Sequence, residues 1–516
     1  MVLRTWHTSP RLGYPNGCNT PNSFDLFEYT SGRWIYNNYL RHRERRRVFN
    51  PEDSVVGFEK LAEGGFNRSF LVTMRDDFRF LARIPYLFAQ PRSLVVASEA
   101  ATLDYLRHHG LPVPKVFGYS PDAENPAGTE YIFMELMQGT NLGDVWFDLS
   151  EQQRTKVVAN IVELESRLFA LRFPASGSLY YPALADGSRL CIGPDISLRL
   201  WYGRRMNLPV GRGPSGVRKE IAYLHKFGRP LQPLQRLRRK VYNYQAQPHL
   251  DHIRNLEGYI HIAPQLIPHG SPRLLRPILR HPDLQPNNIL ISNNLEITEL
   301  IDWQHSTILP LFLQCEIPGS LQNDGDEVSE SLQKPSLPVD FDDLHEREQF
   351  MQAEIFRRRQ LHYLYVKFTA EKNPKHYDAM ALDFSTIRQR LFHHASDPWE
   401  GDNLTLKADL VTLSRDWTNI TGSDATQCPL TYSEKEASEC MRLARMQAEA
   451  DDQLQSCQDP IGVGPEGWVP VAQYEQAKAA ERKLKTDALE AAETDGERTQ
   501  LDENWIFDDF CEDEYM

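Results

Sequence analysis

What the chain lacks narrows its class before any motif is read. No apolar run is long enough to cross a bilayer, which takes about 20 residues as a helix, so no membrane span is expected. No C-x-x-C pair occurs, and the seven cysteines (Cys18, Cys191, Cys315, Cys428, Cys440, Cys457, Cys511) are scattered and odd in number. That argues against a disulfide frame and a zinc site, and suggests reduced thiols inside a cell. Positive charge is outweighed: the net charge of −14 speaks against a nucleic-acid surface across the whole molecule, and leaves open only a local basic cleft. What is present is a soluble, globular composition, 41% hydrophobic and 25% charged. At 516 residues the chain exceeds one ordinary core and should split into two or more packed units.

The stretch richest in chemistry is His281-Pro-Asp-Leu-Gln-Pro-Asn-Asn-Ile-Leu-Ile-Ser, closed further on by Leu300-Ile-Asp-Trp-Gln. It reads as a polar loop, a short apolar strand, a turn at Asn293-Asn294, and a second strand ending at Asp302. This layout places Asp283, Asn288 and Asp302 at one end of a small hairpin. Two carboxylates and an amide oxygen are hard ligands, suited to a Mg²⁺ ion that also holds phosphates. The pattern H-x-D-x-x-x-x-N followed by a strand-borne Asp is the skeleton of a kinase-type phosphoryl-transfer loop. In that reading His281 and Asp283 are the catalytic residues, Asp283 orienting the attacking hydroxyl, while Asn288 and Asp302 hold metal. Pro, Asn and Asp also favour turns for purely local reasons; the strand after Asn288 and the Ile-Asp after the next turn favour a site. No A-P-E follows, Asp302-Trp-Gln lacks the glycine of D-F-G, and no Lys stands two residues after Asp283. Those absences favour a small-molecule acceptor over a protein.

With these motifs the chain resembles the aminoglycoside phosphotransferase and choline kinase-like superfamily, and within it the fungal group called altered inheritance of mitochondria. The likeness rests on FEYTSGRWIYNNYL, FEKLAEGGFNRSF, ARIP, LPVPKV, YIFMEL, HPDLQPNNILI and IDWQHSTILPLFLQ, from about Asp25 to about Trp417. It implies an α+β, bilobal protein kinase-like fold, with a small antiparallel β lobe plus one helix and a larger, mostly helical lobe. It also implies ATP and Mg²⁺ as cofactors and a hydroxyl acceptor.

Taken in order, residues 1–50 form a leader. It has no acid before Asp25 but carries Arg4 and Arg11, a composition shared by mitochondrial transit segments and by disordered termini. The resemblance points to the mitochondrion, with the cytoplasm as the alternative. The basic run Arg41-His-Arg-Glu-Arg-Arg-Arg reads as a solvated helix face. Residues 51–138 are the small nucleotide-binding lobe. Strands over Val55–Leu61 and Ser69–Met74 flank a glycine turn where Gly64, Gly65 and Asn67 would approach phosphates. A third strand carries Arg83 where the kinase-like pattern has Lys, and Glu99, on a helix over Val95–His109, is its expected partner. By position in the superfamily, backbone groups of Glu135 and Met137 would meet an adenine edge. Residues 139–430 are the large lobe, with an acidic insertion at 320–340 that reads as a mobile surface segment. Residues 431–516 add two helices and an acidic, aromatic tail, a surface for a protein partner. The expected activity is Mg·ATP-dependent transfer to a small-molecule hydroxyl; the alternative, motivated by Arg83, is a catalytically inactive kinase-like scaffold.

Overall fold

The computed structural model describes residues 55–64, 66–87, 91–182, 190–197, 201, 216–268, 270–421, 427–462, 469 and 473–508. The leader, Gly65 and the last eight residues lie outside them.

Strands β1 (Val55–Glu63), β2 (Asn67–Met74), β3 (Arg79–Pro85), β4 (Val116–Ser120) and β5 (Tyr131–Glu135) form one antiparallel sheet in the order β1-β2-β3-β5-β4. The two-residue period of β3 decides what faces where. Phe80, Ala82 and Ile84 turn to a small core with Phe70, Val72 and Phe133. Leu81 and Arg83 turn to the opposite face, toward helix α1 (Arg92–His108) and the main core. The helix stops at Gly110, whose left-handed backbone (φ 73°) lets Leu111 N–H reach the Leu106 carbonyl at 3.0 Å and Gly110 N–H reach Arg107 at 2.9 Å. Those two bonds are a Schellman end, which a glycine accommodates best.

The crossover to the large lobe passes through Gly139. Its φ of 139° and the 2.9 Å from an added Cβ to the Ile291 carbonyl leave no room for a side chain. Beyond it come β6 (Thr140–Asn141) and α2 (Glu151–Ala170), the latter opened by a capping box in which Ser150 and Gln153 satisfy each other's backbone N–H groups. Helices α3 (Gly216–Phe227) and α4 (His249–Leu266) follow. Then β7 (Pro277–Leu279) leads to the hairpin β8 (Ile289–Ile291) and β9 (Ile297–Leu300), and β10 (Ile308–Pro310) returns to pair with β7. Strand β8 also pairs with β6, so the hairpin is stitched to the crossover. One core holds both lobes: Leu103 and Leu106 of α1, Ile132 of β5, Ile161 of α2 and Ile289 of β8 belong to the same buried cluster.

Helices α5 (Glu346–Lys372), α6 (Ser385–Ser396) and α7 (Leu404–Arg415) complete the lobe, and α8 (Glu434–Gln458) lies on α7. Arg238 fastens α8, donating to Asp451 at 2.7 and 2.8 Å and to Asp402 at 2.9 Å. Trp505 and Phe507 of the tail are buried against α9 (Tyr474–Ala491), and the Trp505 indole donates to Glu481 at 2.6 Å. The acidic insertion lies mostly at the surface and is anchored at a few points. Leu321 and Ser329 are buried, and Arg359 of α5 grips the Asp326 carboxylate at 2.7 and 3.0 Å. Helix α5 supplies the cation that meets Asp326. Among the described residues no helix is long and apolar enough to cross a membrane.

Candidate active site

The polar loop ends in a single turn, Pro286–Asn288, opened by a proline whose fixed φ suits that position. The turn delivers Asn288 to the start of β8. Ile289 pairs with Leu300, and the ladder runs one step further, Ile301 N–H donating to the Asn288 carbonyl at 3.0 Å. Asp302 therefore leaves the hairpin beside Asn288. Its backbone is left-handed (φ 66°), as is that of His305 (φ 60°), an uncommon pair of conformations within four residues. Trp303, fully buried, pins the turn through its indole N–H to the Leu300 carbonyl at 3.0 Å.

His281 is buried and spends both ring nitrogens: Nε2 lies 2.8 Å from the Ile301 carbonyl, and Nδ1 accepts from Asp283 N–H at 3.1 Å. Burial holds its pKa below the ordinary histidine value. The proton then belongs on Nε2 and the neutral ring braces loop against hairpin. Both ring nitrogens of His281, expected from the sequence as a catalytic residue, are thus engaged by the backbone. Asp283 itself is exposed. Its carboxylate accepts from Gln285 Nε2 at 2.6 Å and Asn288 Nδ2 at 3.0 Å. Because Asn288 Nδ2 also bonds the Asp283 carbonyl at 2.8 Å, the amide is fixed with Oδ1 as its uncommitted atom.

Against Asp302 stands Arg83 of β3. Nη1 donates to Glu99 Oε1 at 2.7 Å, and Nη2 to Asp302 Oδ1 at 2.5 Å and Gln304 Oε1 at 3.2 Å. Asn67 lies against Gln304, and with its amide turned to present oxygen to the guanidinium it would accept from Arg83 Nη2 at 2.9 Å. Burial lowers the affinity of Arg83 for its proton, but the Asp302 and Glu99 charges outweigh it and the net shift is upward. Burial pushes Glu99 up to about 7 against the pull of Arg83. For Asp302 burial also pushes upward, and the guanidinium wins, leaving its pKa low. The forked side chain thus reaches two carboxylates at once, which a lysine ammonium at this distance from the backbone does less readily.

Gly64 is exposed in the β1–β2 turn, its N–H donating to the Asn67 carbonyl at 2.9 Å; Gly65 lies outside the described residues. At the crossover, Glu135 N–H is already bonded to the Lys115 carbonyl at 2.9 Å, and its carboxylate turns to Arg107 at 2.9 Å. The expectation for Glu135 narrows to its carbonyl oxygen, with Met137 half-buried two residues on. For a divalent ion the donor atoms on offer would be Asn288 Oδ1 and the Asp302 oxygen not held by Arg83. Hard oxygens of this kind, few in number, fit a Mg²⁺ that brings water and phosphate ligands of its own.

A cleft of about 1090 Å³ opens from Asp283, and its wall includes residues that sequence reading passed over. Asp195 Oδ1 accepts from Ser197 N–H at 2.8 Å and Thr307 Oγ1 at 3.1 Å. Its carbonyl accepts from the Trp201 indole at 2.8 Å. Gln304 sits two residues past Asp302, within a motif already singled out, and that adjacency is the signal that would have found it.

A β lobe whose Arg–Glu pair bonds a strand-borne Asp beside a His–Asp–Asn loop is the arrangement of a kinase-like phosphotransferase fold. Sequence comparison agrees: the family described as "Phosphotransferase enzyme family" matches residues 57–312, and the chain belongs to it. The chain is similar to the subtelomeric hrmA-associated cluster protein of Aspergillus fumigatus, 31% identical over 507 residues that cover 89% of this chain and 98% of the relative. It is also similar to the Saccharomyces cerevisiae protein named "Altered inheritance of mitochondria protein 9, mitochondrial", 24% identical over 483 residues, 83% of this chain and 75% of that one. Among solved structures, ADP-bound aminoglycoside phosphotransferase APH(2'')-Ib aligns at a TM-score of 0.34 and 10% identity, over 77% of this chain and 95% of that one.

Proposed function

We propose that the protein transfers the γ-phosphoryl group of ATP to a hydroxyl of a small molecule, with Mg²⁺ as the accompanying ion. The observation that carries this reading is the fixed Asp283–Asn288 pair, an exposed carboxylate beside an amide whose oxygen is uncommitted, at the mouth of a roomy cleft. Bound Mg·ATP would supply the phosphoryl group and the positive charge that neutralises it. Asn288 Oδ1 and Asp302 would hold the ion. Arg83 would face the phosphates, positioned by Glu99, with Gly64, Gly65 and Asn67 covering them from the β1–β2 turn. The Glu135 carbonyl and the Met137 N–H would take the adenine edge. Asp283 would accept a hydrogen bond from the acceptor hydroxyl, aim its oxygen and take its proton, while His281 keeps the loop in place. Such positioning contributes about 7–11 kcal/mol in well-oriented reactions. The mitochondrial names of the yeast relatives support a mitochondrial location for this chain as well.

A second reading has one specific observation in its favour. Arg83 lies 2.5 Å from Asp302, so a cation competes for the metal-binding carboxylate, as in a nucleotide-binding protein without turnover. One experiment separates them: incubation of the protein with γ-labelled ATP and a metabolite extract, beside a thermal-shift titration with Mg·ATP. A labelled small molecule supports the enzyme; a shift without labelling selects the inactive form.

A further inference from the structure

We propose, building on the phosphotransferase reading, that the acceptor is an amphipathic alcohol: a hydroxylated head free of anionic groups at Asp283, and an apolar body extending along α4 into a second cavity.

The cleft beside Asp283 is chemically two-ended. At the near end Asp195 and Asp283 are both carboxylates, accompanied by the hydroxyls of Ser197 and Thr307. A phosphate or carboxylate on the acceptor would meet like charge there. At the far end the cleft runs into a further cavity of about 310 Å³, and Tyr259, Ala263, Ile267, Leu313 and Phe392 line both spaces. Ile267 and Leu275 are 42% and 39% exposed, and both face that second cavity. Apolar side chains left open inside a concavity mark a place for an apolar ligand more than an accident of surface.

Much of the polar lining is committed to the protein, including Arg388 of the second cavity, whose guanidinium donates to the Leu266 and Ile420 carbonyls. Arg280 is paired with Glu165 at 3.0 Å, and the Gln314 amide donates to the carbonyls of Ile278 and Thr307 at 3.2 and 3.3 Å. The wall's other arginine, Arg218 of α3, is exposed. A sugar-like acceptor would find few free partners beyond the first few ångströms, whereas an alkyl or fused-ring body would dry the walls of α4 and Phe392. In the transfer, the acceptor oxygen bonds to the γ-phosphorus as the bond to the bridging oxygen breaks. The electron pair leaves with ADP, and the hydroxyl proton passes to Asp283 and then to solvent.

The test uses the full chain, with N-phenyl-1-naphthylamine as a fluorescent occupant of the apolar space. Competitors are 1-butanol through 1-decanol and, as a polar polycation, kanamycin. The expected result is displacement that tightens with chain length, by up to about fourfold per methylene, with kanamycin ineffective. Ile267→Asp and Ala263→Trp should each flatten that dependence while a Mg·ATP thermal shift persists. The wild-type series decides even where a variant fails to fold. Displacement that ignores chain length, survives both variants, or favours kanamycin, alongside a retained Mg·ATP shift, overturns the amphipathic acceptor and leaves the phosphotransferase standing. No Mg·ATP shift in the wild type overturns the phosphotransferase reading, and the acceptor assignment falls with it.

Discussion

The two sides of the site are built on opposite principles. Around Arg83 of the β lobe charge is answered: Arg83 touches Glu99, Asp302 and Gln304, and Glu99 is 3% exposed. On the acceptor side Asp283 is exposed, held by amide donors, with no cation against it among the described residues. The first side stores charge in a closed network and is expensive to disturb. The second presents one carboxylate whose orientation, and not its neutralisation, the protein has fixed. Stability should therefore be sensitive to substitution on one side, and turnover on the other.

Four substitutions break or sharpen that contrast. The largest effect is expected for Asp283→Ala: turnover should fall by about 10²–10⁴-fold, the usual scale of a lost proton acceptor, with melting temperature and Mg·ATP affinity nearly unchanged. Equal loss of binding and rate in a folded variant would remove Asp283 from its role. Next is Arg83→Met, which strands Glu99 in the interior. Removing one partner of a buried pair costs about 3–5 kcal/mol, and the lower end applies here because Glu99 can take up a proton. Denaturant unfolding measures it, and a variant as stable as the parent would show the network to be dispensable.

Arg83→Lys is the subtler probe. A lysine keeps the charge but serves fewer acceptors, so a loss of about 1–2 kcal/mol in stability is expected, on the scale of one charge-assisted hydrogen bond. The smallest effect concerns pH. Glu299 on β9 has an oxygen without a hydrogen-bond partner, and burial together with the nearby Glu135 charge raises its pKa to about 7. The folded state then binds this proton more tightly than the unfolded chain. Its contribution is complete below about pH 4.5 and fades as pH rises through about 7. Melting temperature should decline across that window, and Glu299→Gln should flatten the decline; a parallel pH profile would assign the slope elsewhere.

How much of this was legible in the sequence follows from distance along the chain. The hairpin was readable because its parts are local: a proline turn, two short apolar strands and the residues at their ends. The Arg83–Glu99 pair was readable because a strand and the next helix carry both. The bracing of His281 could not be read, since its partner Ile301 occupies a ring nitrogen from 20 residues away. Asp195 and Thr307 are 112 residues apart, in segments without periodicity, and only folding makes them neighbours. The acidic insertion's counter-ion Arg359 likewise stands 33 residues from Asp326, beyond any window in which composition is judged.

The claim on which all else rests is that Asn288 and Asp302 seat a metal–nucleotide complex opposite Arg83. Calorimetric titration of the protein with ATP, with and without Mg²⁺, tests it directly. The account predicts saturable heat with Mg·ATP and binding weakened at least tenfold without the ion, about 1.4 kcal/mol. No nucleotide heat at all, or equal affinity with and without the metal, would contradict it.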